Sequence, residues 1–122
     1  MRSHITISLA CAALLSGCVA PPVSYYYGNY SRTLYRNKKD NTAASLEKHR
    51  ASLLDIIQTS ERKGLRVPPG IFCEYGYLLA KEAKPESDRY FSLEIKTYPE
   101  SERFVSFLRT QILQPTKAPS TE

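Results

Sequence analysis

The chain has 122 residues, with 17 basic and 12 acidic side chains and a formal net charge of +5. That length holds one small hydrophobic core at most, and a positive excess this modest, scattered along the chain, implies a solvated surface and no nucleic-acid partner. With cysteine only at Cys11, Cys18 and Cys73 and histidine only at His4 and His49, a zinc site or a Cys/His nucleophile has little to be built from, and no cofactor is implied.

At the amino-terminal end, Arg2 and His4 precede an apolar stretch, Ile5 to Leu15, that closes on Leu15-Ser16-Gly17-Cys18. The stretch is shorter than the roughly 20 apolar residues of a spanning helix, and a basic head with an apolar core and a small-residue exit has the layout of an export signal. The closing tetrad reads as a bacterial lipobox, so residues 1–17 are expected to be removed and the sulfur of Cys18 to be acylated. Each acyl chain contributes about 0.8 kcal/mol per buried methylene, and two or more anchor durably, which makes membrane lipid the first expected partner. Val19 stands where an Asp would retain an enteric lipoprotein at the inner membrane, so the expected location is the outer membrane, facing the periplasm. Once Cys11 has left with the signal and Cys18 is acylated, Cys73 is the one free thiol. Its neighbours Ile71 and Phe72 place it in an apolar, buried setting.

Ala20-Pro21-Pro22-Val23-Ser24 cannot continue a helix and reads as an extended spacer. The next eleven residues, Tyr25 to Tyr35, hold five tyrosines, Tyr25, Tyr26, Tyr27, Tyr30 and Tyr35. Gly28 and Asn29 suit a turn, and Tyr30 and Leu34 have helical spacing. The rings either pack on the following domain as a leading helix or strap, or form an exposed contact surface for a partner, a use to which tyrosine is well suited. From Thr42 the chain reads as consecutive helices. Asp40 or Asn41 can cap the first, Leu46, Leu53, Leu54 and Ile57 form its stripe, and Gly64 ends it. Val67-Pro68-Pro69-Gly70 makes a turn into a second helix that carries Phe72, Tyr75, Gly76 and Leu79 on one face and ends near Ala83.

Lys84-Pro85-Glu86-Ser87-Asp88 has the chemistry of a third helix start, with Phe91, Ile95 and Tyr98 facing inward. Tyr98-Pro99-Glu100-Ser101-Glu102 repeats that signal for a fourth helix, whose inward stripe is Phe104, Phe107, Leu108 and Ile112. Connections this short make neighbouring helices antiparallel. Gly76, Phe91 and Pro99 are spaced as in a tetratricopeptide repeat, one residue short of the usual interval and with Ser87 in place of Ala. The fold class is therefore all-α, a small antiparallel helical hairpin stack behind a signal peptide and a Tyr-rich tether. Its divisions are 1–17 (signal), 18–40 (lipidated anchor, Pro spacer and Tyr-rich segment), 41–113 (helical repeat-like domain) and 114–122 (disordered tail).

Glu74, Glu82, Glu86, Asp88, Glu94, Glu100 and Glu102 are spaced as helix-surface or helix-start charges near Lys and Arg, and His49 sits in the charged run Glu47-Lys48-His49-Arg50. They are read as surface, so no catalytic residue is assigned and the protein is not expected to be an enzyme. Tyr25-Tyr26-Tyr27-Gly28-Asn29-Tyr30-Ser31, Thr33-Leu34-Tyr35, Ser45-Leu46-Glu47-Lys48-His49, Lys63-Gly64-Leu65-Arg66-Val67-Pro68-Pro69-Gly70 and Tyr98-Pro99-Glu100-Ser101 together resemble the small bacterial lipoproteins grouped as the domain of unknown function numbered 4810. The resemblance runs from Tyr25 to about Leu108. Tyr27, where Trp is more usual, and the short turn at Lys84-Pro85 depart from it.

Genes of that family typically lie beside a lipoprotein similar to the curli secretion channel and a second small lipoprotein. The resemblance thus implies a noncatalytic adaptor in an outer-membrane lipoprotein complex, with Tyr25, Tyr26, Tyr27, Tyr30 and Tyr35 as the candidate contact. The alternative is a peptidoglycan-binding envelope tether that sets Arg32, Arg36, Lys38 and Lys39 against wall carboxylates.

Overall fold

The computed structural model describes residues 24–113, all helix and connecting turn. The expected signal, Cys18, the Pro spacer and the tail from Gln114 lie outside the described residues. Five α-helices follow one another: α1 (Tyr30–Asp40), α2 (Ala43–Arg62), α3 (Ile71–Lys81), α4 (Ser87–Thr97) and α5 (Glu102–Leu113), with a 3-10 turn, Pro99–Ser101, leading into α5. Helical structure thus begins at Tyr30, inside the stretch that composition alone assigned to the tether. No helix among the described residues is long and apolar enough to cross a membrane.

Helix boundaries follow local chemistry. Thr42, rather than Asp40 or Asn41, caps α2: its Oγ1 accepts from the Ser45 amide at 3.1 Å while the Ser45 hydroxyl accepts from the Thr42 amide at 3.1 Å, a reciprocal capping box. At the other end Gly64, with φ +63°, lets the Leu65 amide reach the Ser60 carbonyl and its own amide reach that of Glu61. The same two-bond closure ends α3, where the Lys84 amide donates to Leu79 and the Ala83 amide to Ala80. There the left-handed position is held by Ala83 at φ 56°, a conformation that strains any residue with a Cβ.

Helix α3 is the centre. Ile71, Phe72, Tyr75 and Leu79 join Leu53, Ile56 and Ile57 of α2 and Val67 in the larger apolar cluster, while Cys73 meets Phe91 of α4 and Val105 of α5 in a second one. Burial of Cys73 matches its apolar neighbours in sequence. The α3–α4 hairpin closes tightest at Gly76, where an added Cβ would lie 3.1 Å from the Ser87 carbonyl oxygen and 3.1 Å from Cβ of Tyr90. Gly76 and Ser87 therefore take up the small-residue contact that the repeat-like spacing predicted.

Two stripes differ in part from the sequence reading. On α2, Leu53, Leu54 and Ile57 pack inward as expected, joined by Ile56, whereas Leu46 faces solvent; on α5, Leu108 and Ile112 likewise pack against the core. On α5, Val105 is fully buried against Phe91, and Phe104 and Phe107, both expected inside, are 60% exposed. Arg109 bridges α5 to α4 in this rotation: its Nε lies 2.8 Å from Oδ1 of Asp88 and its Nη2 2.7 Å from Oγ of Ser92, both on α4.

Relief of the strain at residue 83 should stabilise the fold. Ala83→Gly is expected to raise the unfolding free energy by about 0.5–1 kcal/mol, read as a higher urea midpoint at unchanged slope. A lower midpoint would mean that Ala83 is not strained.

Candidate interaction surface

The tyrosine segment is largely committed to the helical body. The Tyr30 hydroxyl donates to Oε2 of Glu74 on α3 at 2.9 Å, and the other oxygen of that carboxylate lies 2.9 Å from Nε2 of His49 on α2. Nδ1 of His49 is in turn 3.0 Å from the Thr33 hydroxyl of α1. One carboxylate thus ties three helices together. His49, read as a surface residue, is only 1% exposed; its charged neighbours in sequence occupy the outer face of α2 while position 49 turns inward.

Tyr26 donates to Oδ2 of Asp55 at 3.0 Å, and Lys63 lies over its ring. The Tyr98 hydroxyl donates to the Val67 carbonyl at 2.7 Å and lies 3.4 Å from the Tyr25 hydroxyl, while the Arg66 guanidinium stacks over the Tyr98 ring. Tyr25, Tyr26 and Tyr30 therefore spend their hydroxyls within the chain. Tyr27 and Tyr35 remain exposed.

Glu94, also read as a surface charge, is 2% exposed. Its oxygens accept from the amides of Gly70 at 2.8 Å and Cys73 at 3.2 Å. Gly70, the N-cap of α3, has φ +84° and no side chain to offer, so α4 supplies the missing cap from across the hairpin, at the end of α3 where a negative charge is favoured. Burial raises the Cys73 thiol to about 11, with smaller contributions from the Glu94 and Glu74 carboxylates, and a thiol held protonated in this way is a poor nucleophile.

Between α3 and α5 lies an apolar cleft of about 290 Å³, lined by Gly70, Cys73, Tyr77, Phe104 and Leu108 with Glu74 at its edge. Phe107 is exposed one turn along α5 from Phe104. A second cleft, between α1 and α2, brings Arg32 and Arg36 together with Lys48, whereas Lys38 borders a different hollow with Lys81. Arg32, Arg36, Lys38 and Lys39 are all exposed on α1. Sequence reasoning missed the Phe104 cleft because the period of α5 alone does not say which of its apolar residues faces inward. Among the described residues, no group of three or more His, Cys, Asp or Glu side chains is arranged to hold a metal ion.

These features define a small all-helical module whose tyrosine-bearing lead helix is built into its body. The chain belongs to the family described as Domain of unknown function (DUF4810), whose model matches residues 24–108. No curated protein and no solved structure matches it.

Two outcomes test the buried polar groups. Glu94→Ala strands the buried Cys73 amide and removes the acceptor of the part-buried Gly70 amide, and should cost about 1–3 kcal/mol, measured by urea denaturation; Glu94→Gln, which keeps one acceptor oxygen, should cost less. Tyr30 is pushed up to about 12, first by burial and then by its bond to the Glu74 carboxylate. The folded state therefore holds a proton that the unfolded chain releases near pH 10. The stability from Tyr30 is complete below pH 10 and lost as pH rises toward 12, so the denaturation midpoint should fall across that window and fall less in Tyr30→Phe.

Proposed function

We propose that this protein is a noncatalytic adaptor: a lipid-anchored helical module of the outer membrane, facing the periplasm, that holds a lipoprotein or secretion-channel-like partner. The observation that carries the reading is the exposure of Phe104 and Phe107 beside the apolar Tyr77 and Leu108 cleft. Two large exposed rings a turn apart on one helix, the first of them lining an apolar hollow, are an arrangement that a partner's apolar segment can bury, and aromatic side chains dominate the energetics of such contacts.

The contact is therefore proposed on α5 and α3 first, with Tyr27 and Tyr35 as the tyrosines still free to add to it. Acylation of Cys18 would hold the module at the membrane, and the family's gene neighbourhood supplies the kind of partner. Catalysis has no part in this reading: the buried carboxylate of Glu94 and the half-buried one of Glu74 are both engaged in internal hydrogen bonds.

Crosslinking pulldown of the full-length lipoprotein from its native envelope tests it. Phe104→Ser with Phe107→Ser should leave the fold intact, because both rings face solvent, and should abolish recovery of the lipoprotein or channel partner. Undiminished recovery from the folded double variant would overturn the reading, as would recovery of peptidoglycan alone.

A further inference from the structure

The cleft between α1 and α2 has a volume of about 270 Å³ and is flanked by Arg32, Arg36 and Lys48. Arg32 and Arg36 are one turn apart on the same face of α1, an arrangement in which like charges oppose each other. Among the described residues, neither they nor Lys48 lie within ion-pair distance of a carboxylate. Arg50, Lys84 and Arg109 do, meeting Glu82, Glu82 and Asp88 at 2.6, 3.2 and 2.8 Å. Asp40 also borders the cleft, so one acid faces three cations. Thr42, Ala44 and Ser45, the first turn of α2, line its other side, where the positive end of the helix adds to the field.

We propose that this cleft is an anion site for a terminal phosphate group, such as a phosphomonoester, with Arg32, Arg36 and Lys48 as its cationic walls. A carboxylate brings one negative charge and two oxygens. A phosphate can bring a second charge and a further acceptor, matching the surplus left after Asp40 and the forked donors of two guanidiniums. The phosphate can belong to a lipid headgroup or to a free soluble molecule, and the chemistry of the cleft is the same for both. The site is independent of the Phe104 surface.

The test uses the full chain in neutral maltoside micelles, following the side-chain nitrogen resonances of Arg32, Arg36 and Lys48. Probes are added in separate titrations: pyrophosphate, dihexanoyl phosphatidic acid and propionate. Saturable shifts confined to these three residues with either phosphate probe are expected, weakened about tenfold or more by Arg36→Gln or Lys48→Gln. Lys96→Gln on α4, which removes the same charge elsewhere, should change nothing. Saturation by pyrophosphate identifies a soluble phosphate as sufficient; saturation by the lipid analogue alone assigns the headgroup. Propionate binding as tightly as either phosphate, uniform shifts across all basic residues, or equal weakening by Lys96→Gln would overturn the proposal.

Discussion

A helix of eleven residues that is apolar on most of its circumference must be covered on most of its sides, and α3 imposes that demand on every other element. Phe72, Tyr75 and Leu79 pack with α2, Cys73 packs with α4 and α5, and the hairpin with α4 is so close at residue 76 that a side chain there would crowd Ser87 and Tyr90. The polar ends of α3 are subject to the same constraint. Its amino-terminal end lies partly inside the hairpin, where Glu94 of α4 supplies acceptors to the Gly70 and Cys73 amides. Its one acidic residue, Glu74, points toward α1 and α2 and finds donors there. Polar and apolar requirements of one helix thus converge on the same arrangement, a consistency that favours a single native packing.

The helices themselves were legible in the sequence, because Gly64, Pro68, Pro69, Pro85 and Pro99 punctuate the chain and the apolar spacing between them has the helical period. The close approach at Gly76 was legible for the same reason. What could not be read was which charged residues are interior. Glu94 and His49 find their partners 16 to 25 residues away in sequence, and each lies among charges that do face water. Local patterning averages over such a residue, and only the assembled hairpins reveal that a buried amide or carboxylate is waiting for it.

Rotation of α5 was hidden for a different reason. Phe104, Val105, Phe107, Leu108 and Ile112 spread apolar character over more than one face, so the pattern admits more than one stripe. The choice is made by shape: a small Val fits against the fully buried ring of Phe91, and in that rotation Arg109 bridges to Asp88 and Ser92. The rings displaced from the interior by this fit are the ones that give the module an apolar surface. In the same way the tyrosine segment, ambiguous by composition, is resolved by its hydroxyl partners on α2 and α3.

The placement of the first described residues bears on how the fold would respond to mechanical load. A pull applied to the amino-terminal side of the chain meets Tyr25 and Tyr26 first, held by a hydroxyl pair at 3.4 Å and a phenol–carboxylate bond at 3.0 Å. Only after these release does tension reach Tyr30 and the packing of α1 on α2. The first contacts are a few half-buried rings and their hydroxyl bonds, with Tyr26 packed on the apolar cluster under Lys63, whereas the next is a helix whose detachment would uncover the buried imidazole of His49.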